Sequence, residues 1–241
     1  MGKRIITQRR GRGTHTYKSP SHRFKGKIKL RPYDDIEKNK SVIGQVKDFV
    51  HCPGHSAPLA KIKFENGENL LMFAVEGLNT KQKINSGSQS EVQIGNILPL
   101  KNIPIGTTIC NIESQPGDGG KFIRAAGASA KITAKDDKQV TIVFPSKKLK
   151  KINAECRAII GKIAGSGKKD KPIVKAGKRF HMMKAKNKLY PQTSGVAMNA
   201  VDHPFGSGRG RHAGKPKTPP RNAPPGRNVG AIRAKKTGKR K

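Results

Sequence analysis

The chain has 241 residues and carries 51 Lys and Arg against 15 Asp and Glu, a formal net charge of +36. Only 33% of its residues are hydrophobic, 5% are aromatic and none is Trp, so a large single-core enzyme lacks the apolar mass to fill its interior. No stretch approaches the ~20 uninterrupted apolar residues of a membrane-spanning helix, and an excess of charge of this sign requires a polyanion, of which nucleic acid is the abundant one.

The opening segment, MGKRIITQRRGRG, lacks the apolar run and small-residue cleavage site of a secretory signal. Cys52, Cys110 and Cys156 are far apart and odd in number, which excludes a disulfide framework or a zinc-knuckle spacing and predicts a reducing, cytoplasmic setting. The first 33 residues carry 11 Lys and Arg and no acid, and residues 203–241 carry 12 and no acid. Residues 1–35 and 176–241 therefore read as basic arms, rich in Gly, Pro, Ser and His, that repel themselves in water and bury too little apolar surface to fold alone. Arg bridges phosphate oxygens bidentately and stacks on bases, and Gly lets backbone approach phosphate closely, so these arms suit RNA. Their candidate contacts are Arg4, Arg9, Arg10, Arg12, Arg23 and Lys25 in the first arm. In the second they are Lys178, Arg179, Asn199, His203, Arg209, Arg211, His212, Lys215, Arg221, Arg227, Arg233 and Lys235.

From Ser41 the texture changes to short strands. Val42, Ile43, Val46, Phe49 and Val50 form an apolar-rich strand, and Ala60–Glu65 alternates with the period of a half-buried one. Asn66-Gly67 is a turn signal, Asn69–Val75 the returning strand, and Glu91–Ile94 and Thr107–Glu113 two more. Five short strands over residues 36–115 suit a small oligonucleotide-binding barrel. Gln115–Gly120 marks a boundary. Beyond it, Ala128–Ala134, Val140–Phe144, Lys147–Ile152 and Cys156–Ile163 make a second small barrel over 116–175, Src-homology-three-like, with Arg124 a further candidate RNA contact. The fold class is thus mainly β. A short helix is expected around Lys178–Lys188, with Phe180 and Met183 facing a core.

Several motifs occur in a specific order. They run from Gly95-Asn96-Ile97-Leu98-Pro99-Leu100 and Ile103-Pro104-Ile105-Gly106-Thr107 to Pro116-Gly117-Asp118-Gly119-Gly120, Arg124-Ala125-Ala126-Gly127 and Cys156-Arg157-Ala158-Ile159-Ile160-Gly161. The most specific is Gly195-Val196-Ala197-Met198-Asn199-Ala200-Val201-Asp202-His203-Pro204-Phe205-Gly206, followed by Ala223-Pro224-Pro225-Gly226-Arg227. In this order and spacing the chain closely resembles ribosomal large-subunit protein two, the universal L-two family, along its whole length, and its tail is most like the archaeal branch. The resemblance implies two barrels with both arms threaded into large-subunit ribosomal RNA (rRNA), near the subunit interface and the peptidyl-transferase region. It implies a non-enzymatic role supporting subunit association and tRNA binding. The implied partners are the rRNA, neighbouring large-subunit proteins and the small subunit through a bridge, without membrane or homo-oligomer. No cofactor is expected beyond RNA-associated Mg²⁺. Pro145-Ser146-Lys147 and Ser207 depart from the family pattern, each standing where it favours a Gly.

The residues admit rivals. Asp202 beside His203 is placed either to orient the imidazole, as in a catalytic pair, or to cap a turn before Pro204; with no nucleophile or oxyanion group identifiable nearby, His203 reads better as an RNA contact that holds a loop. His51-Cys52-Pro53-Gly54-His55 suggests a metal, but it lacks local partners for a four-ligand site and reads better as a turn. Gly165-Ser166-Gly167-Lys168-Lys169 lacks the strand and Ser/Thr of a triphosphate loop. A basic DNA-compacting protein is the remaining alternative.

Overall fold

Strict alternation makes the first strands. In β1 (Ser41–Val50) Val42, Gly44 and Val46 point inward, and in β2 (Leu59–Phe64) Ala60, Ile62 and Phe64 do so. They pair antiparallel, with a bulge between Val46 and Asp48, and β2 pairs in turn with β3 (Asn69–Phe73) across the Asn66-Gly67 turn. The computed structural model describes residues 2–168 and 170–232. It separates into a barrel unit, Ser21–Ile173, and a terminal unit made of the two chain ends, up to Pro20 and from Val174 onward.

The barrel unit contains β4 (Lys83–Gly87), β5 (Ile97–Pro99), β6 (Thr108–Cys110), β7 (Ala130–Lys135), β8 (Gln139–Val143), β9 (Leu149–Asn153) and β10 (Arg157–Ile160). One sheet runs in the order β3-β2-β1-β4-β5-β10-β6-β7-β8-β9, antiparallel except where β4 meets β5. Chain after β10 returns to the far edge of the first barrel: the Ala164 amide donates to the Ala74 carbonyl (2.9 Å) and the Glu76 amide to that of Lys162 (2.8 Å). Two apolar cores result. The first holds Val46, Leu59, Ile62, Phe64, Met72 and Ile84, and the second Leu100, Ile109, Ile132, Val140, Ile142 and Ile160.

The mainly β class and most strands follow the sequence reading, with four corrections. Glu91–Ile94 is not a strand: all four residues are exposed and lead into the turn before Asn96. The strands that the first barrel needed are β4, whose Lys-Ile-Asn-Ser-Gly pattern is only weakly apolar, and the three-residue β5. A division at 115/116 does not separate the cores, because Leu98, Leu100, Ile103, Ile109 and Ile112 all pack in the second. The first arm ends earlier than residue 35. Ile28 and Leu30 lie in the first core, and Asp34 caps α2 (Asp35–Asn39) by accepting from the Glu37 amide at 2.8 Å.

A buried charge cluster ties these pieces together. Arg31 donates to Glu37 (2.7 Å), to Asp34 (2.8 Å) and, through Nε, to Glu68 (2.8 Å). Arg157 lies 3.1 Å from the other oxygen of Glu37 and donates to Glu113 at 2.8 Å. Arg31, Glu37, Glu113 and Arg157 are each no more than 1% exposed. The hydrogen bond from Arg31 to Glu68, helped by Glu37 and Asp34, outweighs desolvation and raises the guanidinium pKa. Burial alone would lower that of Arg157, but Glu113 and Glu37 more than reverse it. Glu113 also accepts from the amides of Gly119 (3.0 Å) and Gly117 (3.3 Å), so it organises the Gln115–Gly120 turn. Gly120 in that turn has φ +91°, and a Cβ there would strike the Asn111 side chain.

Two outcomes test this. Glu113→Ala leaves Arg157 without its main partner and frees the turn, and it should cost about 3–5 kcal/mol in urea unfolding at neutral pH. Asp118, in the same turn, is half-way to burial, which opposes its charge. Hydrogen bonds from the Ser114 hydroxyl and the Gly120, Ser114 and Gln115 amides nevertheless hold its pKa at about 2. A depressed carboxylate pKa stabilises the fold above the unfolded value of about 3.9 and loses that contribution as pH falls toward 2. Asp118→Asn should therefore lower stability by about 2 kcal/mol at pH 7 and flatten the decline between pH 4 and 2.

Candidate nucleic-acid interface

The terminal unit holds 24 Lys and Arg and one acid, Asp202. It is stitched from both ends of the chain. The Lys3 amide donates to the Val201 carbonyl at 2.8 Å, and Ile5, Phe205 and Val229 form a small core with Val196 and Ala213 packed on it. Ile5 precedes α1 (Ile6–Arg9), where its amide donates to the Gln8 side chain at 3.2 Å, and the Tyr17 hydroxyl donates to the Ile6 carbonyl at 3.3 Å. With the apolar side chains turned in, Arg4, Arg9, Arg10 and Arg12 are left exposed.

The Gly195–Gly208 segment is a folded loop. Asn199 is exposed, while its carbonyl accepts from the Asp202 (3.0 Å) and His203 (3.2 Å) amides. His203 is half-buried, its Nδ1 accepts from the Phe205 amide at 3.0 Å, and its ring lies 5.3 Å from that of Phe205. Gly195 faces this ring so closely that any Cβ would overlap it. The Asp202 carboxylate faces Lys3 Nζ (3.7 Å). Of the two roles open to Asp202, orienting the imidazole is not the one seen: a backbone amide and a glycine position His203. Among the described residues no base-and-nucleophile pair is assembled at this loop, and the chemistry it offers is hydrogen bonding and charge.

Two family models together match nearly all of this framework. Residues 3–86 match "Ribosomal Proteins L2, RNA binding N-terminal domain" and residues 93–224 match "Ribosomal Proteins L2, C-terminal domain". The chain belongs to the ribosomal protein L2 family. It is 53% identical over 241 residues to the large ribosomal subunit protein uL2 of Methanothermobacter thermautotrophicus, covering all of both chains. It is 51% identical to that of Methanosphaera stadtmanae and 50% identical to that of Methanocaldococcus jannaschii, again over the full length of each. These relatives are archaeal-type L2 proteins, in keeping with the resemblance seen in the tail motif.

The L2 residues proposed from sequence fall into three groups. Arg4, Arg9, Arg10, Arg12, Lys178, Arg179, Asn199, His203, Arg209, Arg211, His212, Lys215, Arg221 and Arg227 belong to the terminal unit, and all but His203 and Arg227 are exposed. Arg23, Lys25 and Arg124 belong to the barrel unit. Arg233 and Lys235 lie outside the described residues. Two guanidinium groups are engaged internally. Arg124 donates to the Ile28 carbonyl (3.1 Å) and lies 5.2 Å from the centre of the Phe73 ring, and Arg227 donates to the Pro216 carbonyl (3.1 Å). The helix α3 runs Ala176–Ala185 and buries no residue, so Phe180 and Met183 do not face a core; Phe180 is 46% exposed. At His51–His55 the Cys52 carbonyl accepts from the His55 amide (3.1 Å), closing the expected Pro-Gly turn, and the thiol is buried. Among the described residues no group of three or more His, Cys, Asp or Glu is placed to hold a metal.

Tyr17, Lys188 and Tyr190 were not singled out as site residues by sequence, yet they share a cavity with Arg10 and Arg179. Their signal was weak, since each is an isolated residue far from its spatial partners. The small core gives a direct test. Phe205→Ala removes the largest side chain of a three-residue core, a truncation that costs about 3–5 kcal/mol in a well-packed site. Trypsin cleavage of residues 2–20 and 174–232 should accelerate at least tenfold, with residues 21–173 as resistant as before.

Proposed function

We propose that this protein is a structural constituent of the large ribosomal subunit that binds large-subunit rRNA in the cytoplasm and catalyses no reaction. The observation that carries this reading is the segregation of charge. The terminal unit presents Arg and Lys on its surface with a single carboxylate, while the other 14 acids lie in the barrel unit, where Glu37 and Glu113 are consumed by buried ion pairs. A surface of that kind lowers the free energy of closely packed RNA helices by displacing counterions and screening phosphate repulsion. The barrels dock on RNA, and the exposed Arg and Lys of the two ends contact phosphate and unpaired bases. Mg²⁺ ions held by the RNA share in the neutralisation. The finer roles we assign are support of subunit association, of tRNA binding and of the architecture near the peptidyl-transferase centre. The partners are neighbouring large-subunit proteins and, through a bridge, the small subunit. The relatives named as large ribosomal subunit proteins, and the matched RNA-binding domain, support the reading.

The test is the salt dependence of binding to large-subunit rRNA. Each neutralised phosphate of single-strand-like RNA contributes a slope of about −0.7 in log K against log salt, so ten contacts give roughly −7. Removal of residues 203–241 should make the slope shallower by several units, and duplex DNA should compete at least a hundredfold more weakly than rRNA. An unchanged slope, or equal competition by DNA, overturns the assignment.

A further inference from the structure

Three adjoining concavities in the terminal unit surround Ile6 and Leu189. The first, of about 390 Å³, is walled by Ile5, Leu189, Pro191 and Val229, with Asp202 and His203 also on its wall. The second, about 530 Å³, is lined by Arg10, Tyr17, Arg179, Lys188 and Tyr190. These two share Ile6, Thr7, Leu189 and Gln192 as a common wall. The third, about 720 Å³, carries Lys3, Arg4, Arg9 and Arg12. Among the described residues no acid lines the second or third.

We propose that this track holds a single unpaired stretch of rRNA with one extruded, amino-bearing base in the first cavity and the adjacent phosphate between Arg10 and Arg179. This rests on the rRNA-binding reading above and sharpens it to a site. The first cavity is an apolar slot with a few polar groups, of a size that admits one base and excludes a duplex. Its carboxylate, Asp202, accepts hydrogen bonds and donates none, so it favours cytosine, adenine or guanine, which carry an exocyclic amine, over uracil. The Arg179 guanidinium already lies 5.4 Å from the centre of the Tyr190 ring, an arrangement that leaves a flat cation and an aromatic face available to a neighbouring base. Cations continue along the third cavity, at Lys3, Arg4, Arg9 and Arg12, so the occupant is a strand and not a free mononucleotide.

The experiment is chemical probing of large-subunit rRNA bound to the full-length protein, with dimethyl sulfate for adenine and cytosine, kethoxal for guanine and a carbodiimide for uracil. Thr193 and Gln192 line the first cavity from exposed positions, so Thr193→Trp and Gln192→Trp fill it while leaving Ile5, Phe205 and Val229 unsubstituted. We expect at least one unpaired A, C or G to be protected fivefold or more by the natural protein and released by both variants, while other protections persist. Arg10→Ala with Arg179→Ala should release the same nucleotide and make the salt slope shallower by about 0.7–1.4. Cytidine or adenosine monophosphate at 1 mM should leave the protection intact. Unchanged patterns with both Trp variants, release of a uridine alone, or displacement by the mononucleotide overturns the inference while leaving rRNA binding standing. Loss of all protections by the natural protein would instead overturn the rRNA-binding reading itself.

Discussion

Two guanidinium groups and two carboxylates, those of Arg31, Arg157, Glu37 and Glu113, have left water together, and the barrel unit is arranged around that event. Removing an ion from water costs several kcal/mol even after relaxation, so none of the four tolerates losing its partner. The cluster draws on the chain before α2, α2 itself, the third residue after β6 and the first residue of β10. It therefore fixes the segment after Ser21 onto the first core and the Gln115–Gly120 turn onto the second. The Leu30 amide donating to the Gly119 carbonyl at 3.2 Å is a direct consequence. Tyr33 extends the cluster outward: it stacks on Arg157 and donates to Glu155, and burial together with that carboxylate pushes its pKa up to about 12.

This cluster also takes up four of the chain's 15 acids, Asp34, Glu37, Glu68 and Glu113. Acids are needed where basic side chains must be buried, and 14 of them lie in the barrel unit. The terminal unit is left with basic side chains facing solvent, and its one carboxylate sits 3.7 Å from Lys3. Internal pairing and external binding are thus divided between parts of the chain, and the division was visible as blocks of sequence with no acid at either end.

Strands were legible where apolar alternation was strict, as in β2 and β8, and illegible where it was not. In β4 only Ile84 supplies a large apolar side chain, and in β5 the strand is too short to show a period. Val92 and Ile94 suggested a strand because they are apolar, yet they are 45% and 50% exposed. The two cores interleave in sequence, with Ile97 in the first and Leu98 in the second, which no linear boundary expresses. At the candidate site, the basic residues and the His203 loop were readable from composition and motif. The geometry was not: that Lys3 rather than His203 faces Asp202, and that Ile5 meets Phe205 and Val229, depends on pairing residues some 200 positions apart, for which local pattern carries no signal.

The terminal unit shows why its order and its function are one problem. Its buried apolar side chains are few, and ordering each backbone residue costs about 1–2 kcal/mol, so the small core holds so many residues only weakly against their mutual repulsion. What the core does is choose a path. Ile5 meeting Phe205 and Val229 sets the two ends side by side, and Gly195 lets the His203 ring lock the loop between them. The exposed Arg and Lys are then presented in a fixed pattern rather than as a random polycation. A polyanion that matches the pattern supplies the missing free energy, and one that does not gains only the screening common to any basic tail. Any preference of the terminal unit for one polyanion over another thus traces to the few apolar contacts that set this pattern.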